Sequence, residues 1–361
     1  MTIVLAGSLA QRPFIGGHTW VFLQYLLGLR RLGWDVLFVD RLEPGMCVGD
    51  DGEPSSFADS ANLRYLAEVM EGFGFAEDWS LLYEGGRDVA GIARDEVIER
   101  TAGSAALINV MGYLEDEEIL AAAPLRVFLD IDPGFGQIWK ALGLHDLFRG
   151  HDRFLTVGAK IGSGGCAVPT VGLDWIPIKP PVELAEWPAG TERGSRFTSV
   201  ASWRGAFGPL EYEGRMLGLR VHEFRRFFEL PVRASGEFEI ALDIHEAETE
   251  DLKALRRHGW ELVDPRQVAG DPWRYRDYIR GSEAELMVAK NIYVRSRSGW
   301  FSDRSICYLA SGRPVLAQET GWSAHHPAGE GLLSFSDEDD ALAEEQFESS
   351  RVIGDLVRKL G

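Results

Sequence analysis

The chain is poor in the residues that cross-link a protein or hold a metal. Its three cysteines, Cys47, Cys166 and Cys307, are scattered over 361 residues, too few and too far apart for a disulfide framework or a CxxC metal site. Such usage fits a reducing compartment, and the cytoplasm is the expected location. Positive charge is also short: 37 Lys and Arg stand against 56 Asp and Glu, a formal net charge of −19. That deficit argues against a general nucleic-acid binder, so nucleic acid is not expected as a partner and local arginines are read as sites for small anions. No apolar run approaches the ~18 residues that span a bilayer, which leaves no integral membrane segment to expect. The apolar start, Met1 to Ala10, lacks a basic lead and reads as a first strand, not a signal peptide.

What the chain does contain is an alternation of short apolar runs with helical periodicity. Thr2 to Gly7 has strand length. Phe22, Tyr25, Leu26, Leu29 and Leu32 mark one buried face of a helix over Trp20 to Leu32. Gly33 ends that helix, and Val36 to Asp40 is a second strand, which begins a parallel, Rossmann-like sheet. Ala105 to Val110, Arg126 to Asp132 and Arg153 to Gly158 read as further strands. From Gly172 to Gly194, Pro177, Pro180, Pro181 and Pro188 crowd a segment without period, which reads as a linker. The alternation then restarts, with strands at Phe197 to Trp203, Phe238 to Ile244, Glu261 to Val263, Glu285 to Val288 and from Val315. Helices are expected over His222 to Leu230, Asp251 to His258 and Trp273 to Arg280, and an acidic tail helix over Asp337 to Leu360. The expected class is α/β, with two Rossmann-like domains facing a cleft: residues 1–176, a Pro-rich linker 177–196, and residues 197–361.

Three places carry candidate chemistry. Gly16-Gly17-His18 precedes the first helix; it is not GxGxxG, so Asp40 at the end of the second strand does not read as the ribose acid of a NAD site. The two glycines are expected to let a ligand approach the backbone, with His18 in the same cleft. Asp130 and Asp132 end a parallel strand ahead of Pro133-Gly134, where α/β folds place ligands; alternatively Asp132 starts the turn and caps the next helix. Ser298 to Gly321 reads as a Gly-bearing loop, a helix starting near Asp303 with Ser302 as N-cap, a stop at Gly312 and a strand. Arg304 in that first turn opposes the helix dipole at a cost of about 0.3–1 kcal/mol unless an anion sits beside it. With the free N–H groups of the helix start it marks a phosphate site; the bland alternative pairs it with Asp303 or solvent.

Phe301-Ser302-Asp303-Arg304 and the turn Leu309-Ala310-Ser311-Gly312-Arg313-Pro314-Val315, set behind a Gly-Gly-His loop in two Rossmann-like halves, resemble GT-B glycosyltransferases, the spore-maturation glycosyltransferase-like group above all. The resemblance implies a nucleoside-diphosphate sugar as co-substrate on the C-terminal domain and a small-molecule or glycan acceptor on the N-terminal domain. No other cofactor and no metal is implied. Arg204, Ser302, Asp303 and Arg304, with Lys290, would meet the diphosphate, and Thr320 and Gly321 would border the sugar or ribose. His18 would take the proton of the acceptor hydroxyl, its ring oriented by Asp130 or Asp132. One departure stands out. The paired glutamates of retaining members fall here on Gly299 and Cys307, so retaining chemistry is not implied. A nucleotide-sugar epimerase and a non-catalytic binding protein are the competing readings.

Overall fold

The apolar runs become the centres of two sheets. The computed structural model describes residues 1–190, 194–205, 207–234 and 236–343. The first half supplies β1 (Thr2–Ala6), β2 (Asp35–Leu42), β3 (Trp79–Tyr83), β4 (Asp88–Gly91), β5 (Ala106–Val110), β6 (Arg126–Asp130), β7 (Arg153–Thr156) and β8 (Trp175–Pro177). They form one sheet in the order 4-3-2-1-5-6-7-8, parallel except for the β3–β4 pair. Val4, Leu5 and Ala6 of β1 are wholly buried, as a central parallel strand covered on both faces must be.

The second half supplies β9 (Arg196–Ser202), a hairpin of β10 (Leu210–Tyr212) and β11 (Arg215–Leu217), then β12 (Glu237–Asp243), β13 (Glu261–Val263), β14 (Ala284–Met287), β15 (Val315–Gln318) and β16 (Leu332–Phe335). Apart from the hairpin these make a parallel sheet ordered 13-12-9-14-15-16. Counted within the half, that is the 3-2-1-4-5-6 order of a Rossmann fold. The order reverses between β9 and β14, and in the first sheet between β1 and β5. Ligands of open α/β sheets bind outside the strand ends at such switch points, and here the two face one another across a cleft.

Several elements differ from expectation. The first helix spans Gly16–Arg31, one turn earlier than its apolar periodicity announces, so Gly16 and Gly17 lie inside it. The proline-crowded segment contributes β8, which closes the first sheet; a proline ending an edge strand costs no ladder hydrogen bond that a central strand would need. The single helix expected from His222 is broken into Val221–Phe224, Arg225–Phe227 and Leu230–Arg233. Of the acidic tail, Glu338–Ala343 is helical and the remainder lies outside the described residues. Among the described residues no helix is long and apolar enough to cross a membrane.

The two halves share a core. Helix Gly16–Arg31 packs on helix Pro272–Arg280. Trp20 Nε1 donates to the Pro272 carbonyl at 2.8 Å, Trp20 leans on Trp187 and Phe73 stacks on Trp273. This contact explains the paired glycines. A Cβ on Gly16 would collide with the Asp271 carbonyl, and one on Gly17 would come within 2.8 Å of the Tyr275 ring. The glycines therefore admit the opposite half of the protein, which corrects the expectation that they admit a ligand; only Gly17 reaches a cavity wall. Gly16→Ala should cost about 1–3 kcal/mol as an overpacking substitution against backbone that cannot rotate away. A denaturation midpoint equal to that of the unaltered protein would show that the apposition is looser than this.

Candidate active site

Two cavities meet between the facing strand ends. The smaller, about 250 Å³, is lined by Arg12, His18, Asp132, Arg220, Lys290 and Arg304, among others. The larger, about 860 Å³, lies over the ends of β12 and β13. They share His18, Val200, Ser202, Asp303 and Arg304, so the join falls where β9 ends and helix Asp303–Ala310 begins.

His18 sits in the first turn of helix Gly16–Arg31, with Nε2 3.0 Å from the Ser8 carbonyl oxygen and 3.1 Å from Ser8 Oγ. A carbonyl can only accept, so this network assigns the proton to Nε2 and leaves the lone pair on Nδ1. Desolvation by the surrounding protein, with the charge of Arg12 adding to it, pushes the imidazole pKa down to about 4. The ring is neutral near pH 7. Ser8, not an aspartate, orients it, which corrects the expected His–Asp pairing. Asp130 is committed elsewhere: it accepts from Gln137 Nε2 at 2.7 Å, Thr156 Oγ1 at 2.9 Å and the Asp132 N–H at 3.2 Å. Burial pushes its pKa up to about 6. It fastens β6 to β7 and to helix Phe135–Ala141, and lines neither cavity. Asp132 does line the smaller one. Its Oδ2 receives Lys290 Nζ from the opposite half at 2.7 Å, while Oδ1 is buried without a partner. Gly134, not Asp132, is the N-cap of the following helix.

Helix Asp303–Ala310 starts as expected, with Ser302 Oγ accepting from the Arg304 N–H at 3.2 Å. The guanidinium, however, turns inward. Nε meets Glu285 Oε1 at 2.5 Å and Nη1 donates to the Val200 carbonyl at 2.7 Å. Burial works against the charge, yet Glu285, wholly buried on β14, more than offsets it and the Arg304 pKa is raised overall. The carboxylate that relieves the dipole cost comes from a neighbouring strand, neither from Asp303 nor from solvent. Lys290 lies over Phe135, Phe207 and Tyr293 at 5.2–5.8 Å.

Arg204 does not reach the cleft. Its half-exposed guanidinium pairs with Glu248 and lines neither cavity. Arg220 is the cation that the motif-based reading missed. It is 8% exposed and lines the smaller cavity; Nη1 donates to the Val288 carbonyl and Nε has no partner. Burial, with Arg304 nearby, pulls its pKa down to about 9, so it stays charged near neutral pH. The signal in the sequence was slight: an arginine set between Leu219 and Val221 in an apolar run. Thr320 and Gly321 also line neither cavity. Thr320 Oγ1 donates to the Trp300 carbonyl at 2.5 Å, and Gly321 takes φ +96°, a backbone conformation that favours glycine, with the Arg297 carbonyl 3.2 Å from where a Cβ would stand. Both brace the loop ahead of Ser302. Cys307 is buried against the first helix, with Gln24 Nε2 3.7 Å from its sulfur.

No protein-family model matches the sequence, and no curated protein matches it. Solved structures do. An alpha-glucosyltransferase in complex with UDP and a 13-mer DNA containing a central A:G mismatch matches with a TM-score of 0.56 at 12% identity, over 98% of this chain and 90% of that one. An alpha-glucosyltransferase with UDP-glucose and DNA containing an abasic site matches at 0.55 and 11%, over 97% and 90%. One with UDP matches at 0.52 and 12%, over 97% and 88%. The fold is GT-B. At such identity the likeness concerns the GT-B architecture and not individual residues. It also overturns one exclusion, since two of these GT-B chains hold DNA. Net charge sums over a whole surface whereas nucleic acid touches one patch of it, so the ruling-out of nucleic acid is withdrawn.

Proposed function

We propose that the protein is a glycosyltransferase that moves a sugar from a nucleoside-diphosphate sugar to an acceptor hydroxyl. What supports the reading most is one juxtaposition: a buried cation without a carboxylate partner among the described residues, Arg220, lines the same cavity as His18, whose Nδ1 is left to accept a proton. In sugar transfer, negative charge builds on the departing diphosphate while the acceptor hydroxyl loses its proton. Arg220 and Lys290 supply fixed positive charge for the first event, and His18 supplies the base for the second. The second half holds the donor and the first half the acceptor. Two side-chain cations and the N–H groups at the start of helix Asp303–Ala310 suffice for the leaving group without a metal. The Phe301–Arg304 segment and the turn to Val315 favour the spore-maturation-like group within the fold. Acceptors to be assayed are small molecules, glycans and duplex DNA alike.

A thermal-shift screen against UDP, GDP, TDP and their sugars tests donor binding, because a ligand that binds only the folded state raises its stability. Arg220→Ala should then weaken the nucleoside diphosphate that binds by about 1.5–3 kcal/mol, the loss of a charged hydrogen bond. Calorimetric affinity unchanged in that variant would remove Arg220 from the donor site.

A further inference from the structure

Arg12, Arg220, Lys290 and Arg304 line the smaller cavity, and the last three are engaged. Lys290 pairs with Asp132, Arg304 with Glu285, and Arg220 Nη1 donates to the Val288 carbonyl. Arg12 alone comes from the first half, where it lies half-buried in the loop between β1 and helix Gly16–Arg31. Its backbone N–H donates to the Leu9 carbonyl at 3.3 Å, and its guanidinium has no hydrogen bond or ion pair among the described residues. In a chain of net charge −19 carboxylates are plentiful, so a cavity guanidinium kept clear of them all offers its five N–H donors to something else. That planar fork fits two oxygens of a carboxylate or phosphate. Tyr113, just beyond β5, lines the same cavity, and the chain turns toward it through Met111 and Gly112, left-handed at φ +52° and +69°. Burial raises the Tyr113 pKa, so the phenol stays a hydrogen-bond donor. The charge of Arg12 reaches Tyr113 and His18, whereas Arg220 feels Arg304, Glu285, Asp132 and Asp303. An anion on Arg12 therefore sits on the side of the histidine, apart from the cation assigned to the diphosphate.

We propose that Arg12, with Tyr113, binds an oxyanion, a phosphate or a carboxylate, carried by a small acceptor whose reacting hydroxyl meets His18; the assignment rests on the sugar-transfer reading above. A cavity of about 250 Å³ takes the end of a small molecule and not a duplex. The anion also acts on the base. Arg12 adds to desolvation in holding His18 unprotonated, so an oxyanion that cancels its charge strengthens the histidine as the acceptor binds. The test is calorimetric titration of inorganic phosphate, glucuronate, glucose and duplex DNA into the full-length protein and Arg12→Ala. Each is first saturated with the nucleoside diphosphate that it binds best, so that the donor cations are occupied. Phosphate or glucuronate should bind the unaltered protein and lose about tenfold or more in Arg12→Ala, as on removal of a charged hydrogen bond. Glucose should bind no differently in the two proteins, and the nucleoside diphosphate should keep its affinity in Arg12→Ala, which reports an intact fold. Binding of neither oxyanion, or oxyanion affinity that survives in Arg12→Ala, overturns the assignment while leaving donor binding in place. Nucleoside-diphosphate affinity that falls as far in Arg12→Ala overturns it by moving the arginine to the donor. Duplex DNA that binds and weakens in Arg12→Ala overturns the small acceptor in favour of a backbone phosphate. Failure of every nucleoside diphosphate to bind overturns the sugar-transfer reading itself and this assignment with it.

Discussion

Arg304→Ala is expected to lower folding stability by about 3–5 kcal/mol, the usual cost of breaking one side of a buried ion pair. From sequence, the same substitution reads as a binding defect, because a cation in the first turn of a helix needs an anion and a phosphate would serve. The structure supplies the anion internally. Glu285 is wholly buried, its Oε1 lies 2.5 Å from Arg304 Nε, and its Oε2 already lacks a partner. Without the guanidinium a carboxylate would remain in the protein interior stripped of its ion-pair partner, and the Val200 carbonyl would lose its donor. Replacing both members by apolar side chains, Arg304→Met with Glu285→Leu, should recover most of the loss, since a well-packed apolar pair often equals a buried ion pair. Chemical denaturation decides the matter. An Arg304→Ala midpoint like that of the unaltered protein would mean that the pair is not the anchor of this strand–helix junction.

The difference between those two readings of Arg304 shows what a sequence can carry. Strand cores were legible because parallel strands buried on both faces are near-continuous apolar runs, as in β1 and β2. The start of helix Asp303–Ala310 was legible because a Ser N-cap acts on its own neighbours. Partners far along the chain were not. Gly16 and Gly17 announce a close approach, yet nothing nearby tells that Asp271 and Tyr275 make it. Arg204 and Arg220 flank one short hairpin, and which of them faces the cleft turns on Glu248 and on the Val288 carbonyl. Asp130 and Asp132 are two residues apart. The first ends β6 and is consumed by Gln137 and Thr156, whereas the second lies beyond the strand and meets Lys290 of the opposite half. The histidine was legible as a cleft residue, its true partner Ser8 not.

His18→Ala is expected to reduce turnover by about 10²–10⁴-fold, the range for loss of a positioned general base, with donor affinity nearly intact. The expectation depends on tautomer: with Nε2–H held by the Ser8 carbonyl, Nδ1 is free to take the acceptor proton. The low pKa adds a signature. Protonating Nδ1 disables the base, so kcat/KM should stay level as pH falls through the ordinary histidine range near 6.5 and drop only as it approaches about 4. An acid limb near 6.5 would mean that His18 is not desolvated as the structure has it. The rival base is Asp132, and its geometry argues the other way. One oxygen is held by the Lys290 ammonium at 2.7 Å, and an oxygen already engaged in that ion pair is not free to take the acceptor proton. The pair of variants separates the two: full activity in His18→Ala together with a comparable loss in Asp132→Asn would move the proton to Asp132 and leave Lys290 as the group that has to release it.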